Sequence, residues 1–249
     1  MRADQIPMYR LYGDLAYLWP IMSPPEDYAE EAEHWRGLLH RYLGAGRHRV
    51  LELGVGGGHH LSQLTSDFDA VAADIAEPML TLSKRLNPSV EHHLGDMRSL
   101  RLGQSFAAVM IHDAVNHLLN EGEIRETLAT ATAHLEPGGL FLTAPDYFED
   151  DFSPPQVTLD GRETHGVRLD YVEYVYRLDP REPCLETVFT YMIQENGGLR
   201  LEHDRMHTGL FPIATWERLF RKAGFRFQAH RFVLSNWPRD YVILAGVLE

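Results

Sequence analysis

Cysteine is almost missing: Cys184 stands alone in 249 residues, which excludes an internal disulfide. No apolar run approaches the roughly 18 residues that a membrane span needs, and the longest stretch near the end, Tyr241 to Leu248, has the length of a strand. The first residues lack a basic segment followed by a sustained apolar one, so no export signal is read there and the cytoplasm is the expected compartment. Positive charge is also scarce. Against 36 Asp and Glu stand 23 Lys and Arg, a net charge of -13, which repels a phosphate backbone unless cations cluster. The densest basic group, Arg218, Arg221, Lys222 and Arg226, has the spacing of the polar face of a helix and a following strand. A small-molecule partner is therefore expected, and neither nucleic acid nor membrane.

What is present is an alternation. Residues 1–249 are long enough for one substantial domain and too short for two enzyme domains. From Pro24 to Leu43, prolines and acids open a segment that places Tyr28, Ala32, Trp35, Leu39 and Leu43 near helical spacing. Short apolar runs follow at His48–Leu53, Ala70–Asp74, Val90–Leu94, Phe106–Ile111 and Leu140–Ala144. Helix-length segments separate them, including Glu77–Leu86 and the stretch leading to Leu135, with Pro137-Gly138-Gly139 as punctuation before the fifth run. This predicts an α/β fold with a parallel sheet covered on both faces. After Pro145 the pattern changes. Val167–Leu178, Cys184–Gln194 and Leu199–His207 read as an antiparallel insertion. Helix Ala214–Ala223 and a terminal hairpin, Phe225–Val233 and Tyr241–Leu248 joined through Asn236-Trp237-Pro238, complete the chain.

The most informative stretch is Val50-Leu51-Glu52-Leu53-Gly54-Val55-Gly56-Gly57-Gly58, a strand running into glycines that let backbone approach a ligand. In an open α/β sheet ligands bind at that edge. Twenty residues past Gly54, Asp74 ends the second strand, where it can accept hydrogen bonds from both hydroxyls of an adenosine ribose. A nicotinamide dinucleotide site shares both features. Its fingerprint, however, needs a third glycine at position 59, where this chain has His59. A side chain there crowds a pyrophosphate on the helix N-terminus. S-adenosylmethionine (SAM) has no pyrophosphate and tolerates it.

Five segments in register carry a family resemblance: Glu52-Leu53-Gly54-x-Gly56-x-Gly58, Asp74, Pro78-Met79-Leu80, Gly95-Asp96-Met97-Arg98, and His134-Leu135-x-Pro137-Gly138-Gly139. Together they resemble class I SAM-dependent methyltransferases. The resemblance implies a Rossmann-like fold: a seven-stranded, mostly parallel sheet with a terminal antiparallel hairpin, here with an antiparallel β insertion. It further implies SAM as cofactor and S-adenosylhomocysteine as product. Gly54, Gly56 and Gly58 would flank the methionyl part, Asp74 would hold the ribose and Asp96 and Met97 would border the adenine, with Glu52, Val55, Ile75 and Met79 as further cofactor-binding candidates and His112 against the adenine or the methionyl group.

A closer resemblance reaches the amino-sugar N,N-dimethyltransferases of the desosamine and mycaminose type, through Asp14-Leu15-Ala16-Tyr17, Asp27 to Ala32, Asn116-His117-Leu118, Pro145-Asp146-Tyr147-Phe148, His203 to Phe211 and Trp216-Glu217-Arg218. By that resemblance His117 is the base or amine-orienting group and Tyr17 places a hydroxyl near the sulfonium. Two departures matter: Asp146-Tyr147 replaces an aromatic pair, and His112-Asp113 stands where apolar or small residues are usual. The acceptor pocket has changed accordingly, with Asp113, Tyr147, Arg205 and His207 as its candidate lining.

Fourteen histidines invite a metal reading, sharpest at His203-Asp204-Arg205-Met206-His207. That motif ligates zinc from a helix, but its flanks read as strand or loop, where roughly 3.3 Å per residue puts the two imidazoles about 13 Å apart. No metal is expected. Methylation of a small-molecule amine is the leading reading. O- or C-methylation, SAM binding without catalysis and a nicotinamide-dependent oxidoreductase are the alternatives. Residues 1–45 are expected to form a helical lid, and 146–211 a β insertion that caps the pocket or makes a homodimer face.

Overall fold

A computed structural model describes residues 9–235 and 239–249. In chain order the elements are α1 (Trp19–Met22), α2 (Ala29–Leu43), β1 (Arg49–Leu53), α3 (His59–Ser62), β2 (Asp69–Asp74), α4 (Glu77–Leu86), β3 (Glu91–Leu94), β4 (Phe106–Ile111), α5 (Glu121–His134) and β5 (Leu135–Thr143). There follow β6 (Gln156–Thr164), β7 (Val167–Tyr176), β8 (Cys184–Glu195), β9 (Gly198–Gly209), α6 (Ile213–Lys222), β10 (Phe225–Val233) and β11 (Asp240–Leu248). Seven strands form one sheet in the order β10-β11-β5-β4-β1-β2-β3, and β6-β7-β8-β9 form a second. Strands β3, β2, β1, β4 and β5 run parallel, and β11 and β10 close the edge antiparallel. This is the parallel α/β sheet that the alternation predicts, with the terminal antiparallel hairpin and β insertion that the family resemblance implies.

Side-chain alternation along the parallel strands sorts the core into two layers. Val50, Ala72, Ala108, Met110, Leu140 and Leu142 pack against Trp35, Leu38 and Leu39 of α2. Leu51, Val71, Val109, Ile111 and Phe141 face the opposite way, toward Ile124 and Leu128 of α5 and Leu219 and Phe220 of α6. The same parity puts Glu52 and His112, at the carboxyl ends of β1 and β4, on the α2 side. Helix α5 starts with a reciprocal cap: Glu123 N donates to Asn120 Oδ1 at 3.1 Å, and Leu119 N donates to Glu123 Oε2 at 2.7 Å.

A third apolar cluster joins the N-terminal segment to the small sheet: Leu11, Leu15, Leu18 and Ile21 pack on Leu169, Tyr171, Phe189, Tyr191 and Met206. Polar contacts fix the same docking. Leu11 N donates to Asp204 Oδ2 at 2.9 Å, and the Tyr9 hydroxyl bonds the His207 backbone at both its N–H and its carbonyl.

Four expectations change. The segment after Gly58 holds one helical turn rather than a full helix. There Ser62 Oγ and Thr65 Oγ1 bond the carbonyls three residues back and compete with helix propagation. Pro137-Gly138-Gly139 does not precede the fifth strand but lies inside it, at a register shift against β4. Strand β6 has no counterpart in the sequence reading. It is an exposed edge carrying Asp160, Gly161, Arg162 and Glu163, a composition that protects edges and hides strand signal. Finally, β4 is followed first by a single 3-10 turn, Ala114–His117, with α5 starting only at Glu121. The Asn236-Trp237-Pro238 connection lies outside the described residues.

Candidate active site

The carboxyl edge of the parallel strands is shaped by backbone. Gly54 N and Val55 N both donate to Ala73 O, at 2.8 and 3.0 Å, so the loop after β1 folds over the end of β2. Gly54 has φ +71°, and a Cβ there would overlap the Ala114 methyl; only glycine fits. The Asp74 carboxylate is gripped by this loop: Gly56 N donates to Oδ2 at 2.7 Å and Ala76 N to Oδ1 at 2.8 Å. Burial pushes the carboxyl up, while the two N–H donors oppose that shift. Each oxygen keeps a lone pair for a further donor such as a ribose hydroxyl. His59 occupies the place of the third dinucleotide glycine and bonds the Ser23 carbonyl at 2.6 Å, filling the space a pyrophosphate needs.

Beside this loop is a cleft lined by Trp19, Tyr28, Glu52, His60, His112 and Asp113. Its floor is a buried ionisable network. His112 Nε2 lies 2.6 Å from Glu31 Oε2 and 3.2 Å from the Tyr241 hydroxyl, and Nδ1 lies 3.5 Å from Asp113 Oδ1. Burial alone would lower the imidazole's pKa, but Asp113 and Glu31 outweigh it and hold the pKa well above the ordinary range. Burial likewise acts to raise Glu31 and Asp113, and the His112 cation more than offsets it in both. His112 is therefore an imidazolium between two carboxylates.

Stacked on it, with ring centroids 4.3 Å apart, His60 is held neutral by burial and by the His112 charge. Glu52, 1% exposed, is pushed up to about 8 by burial, so it carries its proton at neutral pH. The 3.6 Å approach of His60 Nδ1 to Glu52 Oε1 thus joins two neutral groups and is not an ion pair. Glu52 Oε2 and both His60 nitrogens are buried without hydrogen-bond partners. Unpaired buried polar atoms are costly, and here they line a cleft that a polar ligand can enter.

His117 ends the 3-10 turn after β4. Its Nε2 is 3.2 Å from the Tyr12 hydroxyl and its ring packs against Tyr9 and Tyr12. Burial lowers its pKa, opposed by the Asp113 charge, so the ring is neutral. Tyr17 is not beside it. That residue is 43% exposed, and its hydroxyl accepts a hydrogen bond from Arg200 of β9. The structure puts Tyr12, five residues earlier, where Tyr17 was expected. Arg205 is also displaced: it pairs with Glu186 at 3.0 Å with its side chain 70% exposed, on the outer face of the small sheet, and His207 shares that face by alternation. Neither is turned into the cleft. Tyr147 packs on Phe152 under the Arg239 guanidinium.

On the cofactor side, Met79 is buried with Ala16 and Ala76, and Ile75 is 39% exposed. The Asp96 carboxylate is gripped by Arg98 through Nε, Nη2 and its backbone N–H, and Met97 packs on the core. The cradle fits SAM: a glycine loop closed to side chains, a buried carboxylate with free lone pairs, and a filled pyrophosphate position. Tyr12, Trp19, Glu31 and His60 escaped sequence reasoning. The first two lie in short turns with no periodicity, and the last two lie in a helix and in a single helical turn whose sequence gives no sign that they meet.

Residues 50–139 match the family described as a methyltransferase domain. Over 236 residues the chain is 31% identical to the dTDP-3-amino-3,4,6-trideoxy-α-D-glucopyranose N,N-dimethyltransferase of Streptomyces venezuelae, covering 94% of this chain and 95% of that protein. It is 27% identical to the dTDP-3-amino-3,6-dideoxy-α-D-glucopyranose N,N-dimethyltransferase of Streptomyces fradiae, covering 85% and 84%. The crystal structure of Streptomyces venezuelae DesVI superposes with a TM-score of 0.80 at 28% identity, covering 95% of this chain and 96% of that one. The sugar N-methyltransferase KedS8 of a Streptoalloteichus species shares the fold, with a TM-score of 0.82 at 22% identity and coverage of 98% and 95%.

Proposed function

Because the chain belongs to the family of class I SAM-dependent methyltransferases that contains amino-sugar N,N-dimethyltransferases, we propose that it methylates the amine of an amino sugar. The observation that carries the acceptor class is a pair of acids: Asp113 lines the cleft, and Asp146 leaves the neighbouring strand beside it, next to the neutral His117, a setting for an ammonium ion rather than a carboxylate. When bound, SAM supplies an electrophilic methyl on a sulfonium. The chain's own residues do the rest. Asp74 and the Gly54–Gly58 loop hold the nucleoside, Tyr12 fixes the His117 ring, and His117 orients the acceptor nitrogen. Asp96 and Met97 border the adenine in this reading.

Alignment is the larger contribution, worth roughly 7–11 kcal/mol in a well-oriented displacement. A lysine-like amine of pKa about 10.4 must also be made neutral, at roughly 4.6 kcal/mol at pH 7. We assign residues 9–45 the role of cover over the cleft. A second copy is assigned to the outer face of the small sheet, where Val157, Leu159, Leu199 and Leu201 are all exposed and share one side by strand register.

The test is incubation with SAM and the acceptor of the Streptomyces venezuelae relative, read by mass for the gain of one and then two methyl groups. A hydroxyl acceptor methylated while every amine stays unchanged would overturn the N-methyl reading. Calorimetric titration with SAM, S-adenosylhomocysteine and NAD places cofactor affinity on the same footing.

A further inference from the structure

Strands β4 and β5 are parallel neighbours in register, Ile111 opposite Thr143, and Ala144 N donates to His112 O at 3.3 Å just past the last pair. Asp113 and Asp146 therefore leave the sheet side by side at its carboxyl edge. The main chain of Asp146 is fixed by the buried Asn116, whose Oδ1 accepts from Asp146 N at 3.1 Å, one residue before His117. Asp113 lines the cleft and keeps 41% of its side chain accessible, and Asp146 beside it is exposed.

The two are not equivalent. Asp113 faces the His112 cation, whereas the Asp146 carboxylate accepts no hydrogen bond from a protein group among the described residues. Acid alone does not make a site. The cleft that Asp113 lines, however, is also lined by Glu52 and His60, more than nine-tenths buried, whose Oε2 and ring nitrogens have no hydrogen-bond partner.

Resting on the N-methylation reading, we propose that Asp113 and Asp146 bind the acceptor amine as its ammonium ion, and that Asp146 takes the proton from that nitrogen before methyl transfer. The N–H bond breaks with its electron pair left on nitrogen as the attacking lone pair, and an O–H bond forms on Asp146. After transfer the proton leaves to water through the cleft mouth, and the methylated ammonium still has an N–H for a second round.

Electrostatics favours this division. The charged groups facing Asp146 are Asp113 and His112 at the end of β4, Glu31 on α2 and Glu173 on β7. Burial and the Asp113 charge raise Asp146 well above the ordinary carboxylate range, so it is the member of the pair with proton affinity closer to that of an amine. Asp113, kept ionised by His112, supplies the fixed anion, which also offsets repulsion between an ammonium and a sulfonium in one site.

The experiment uses the full chain saturated with S-adenosylhomocysteine and titrated at pH 7 with dTDP-3-amino-3,4,6-trideoxyglucose. Phosphate and Tris buffers, which differ in ionisation heat, count the protons exchanged. Wild type is expected to bind with little proton release. Asp146→Asn is expected to bind about tenfold or more weakly, to release close to one proton as it selects the neutral amine, and to shift its rate profile to higher pH. Its S-adenosylhomocysteine affinity should be unchanged, since the Asn116 contact uses only backbone, and Asp146→Glu should recover part of the loss. An Asp146→Asn protein with unchanged affinity, proton count and profile overturns the inference while wild-type N-methylation stands. A wild type that neither binds nor methylates this amine overturns the functional reading and the inference with it.

Discussion

The two walls of the cleft are made of different material. On the cofactor wall the shaping groups are main chain: glycines at positive φ, carbonyls of β2 and N–H groups aimed at Asp74, drawn from residues 54–76. On the other, proposed as the acceptor wall, His112 and Asp113 line the cleft with Tyr12, Glu31, His117 and Asp146 around them, ionisable side chains brought together only by the fold. A backbone wall tolerates almost no change in shape. A side-chain wall keeps its shape while its charge is rewritten.

The sharpest way to break this contrast is at Gly54. Gly54→Val forces a side chain into positive φ and against Ala114, a penalty of roughly 2–6 kcal/mol. Calorimetric titration should show SAM saturation lost and thermal melting lowered together. An unaffected titration would mean that the cofactor wall is as plastic as the other.

A smaller effect is expected at His112, where the acceptor wall meets the core. His112→Phe leaves Glu31 and Asp113 without their cation, at about 1–3 kcal/mol after allowance for their partial exposure. The sign of the pH dependence follows from both partners. His112 is raised, so its contribution is whole below the ordinary histidine value of 6.5 and fades as pH rises through its higher folded value. Glu31 is lowered, so its contribution is whole above 4.5 and fades as pH falls through its folded value. The melting-temperature gap between wild type and variant should thus be widest between those limits and narrow toward either extreme.

The smallest pair of effects separates two tyrosines. Tyr12→Phe removes the His117 contact and should cost about 1 kcal/mol in turnover with SAM affinity kept. Tyr17→Phe should stay within about 0.5 kcal/mol of wild type. Steady-state kinetics with a methylated acceptor ranks them, and the reverse order would return Tyr17 to the site.

That contrast also decides what was legible in the sequence. Gly54, Asp74 and the strand pattern around them were readable because their spacing is local and their chemistry is set by backbone geometry. His117 was picked out by resemblance, and His112 and Asp113 as departures from the family's pattern at the end of β4. Their linkage to Glu31 and Tyr241 was invisible, because a helix polar face and a terminal strand meet there across 81 and 129 residues. Tyr17 was misplaced by resemblance, since a short irregular segment offers no periodicity to say which of two tyrosines turns inward. Arg205 and His207 were named correctly as strand residues but on the wrong face; a one-residue difference in parity reverses the face, and turn chemistry alone does not fix it.

The docking of the N-terminal segment on β9 has a consequence for how the protein is made. Leu11, Leu15, Leu18 and Ile21 leave the ribosome early, yet the small sheet that covers them is completed only with β9, some 190 residues later, as the 198-residue separation of Tyr9 from His207 records. Through most of synthesis these side chains have no apolar cover while the local β-α-β units of the cofactor half can already close. Closure of the acceptor wall is therefore the late, long-range event of folding, and a nascent chain stalled before β9 would display a finished cradle beneath an unfinished roof.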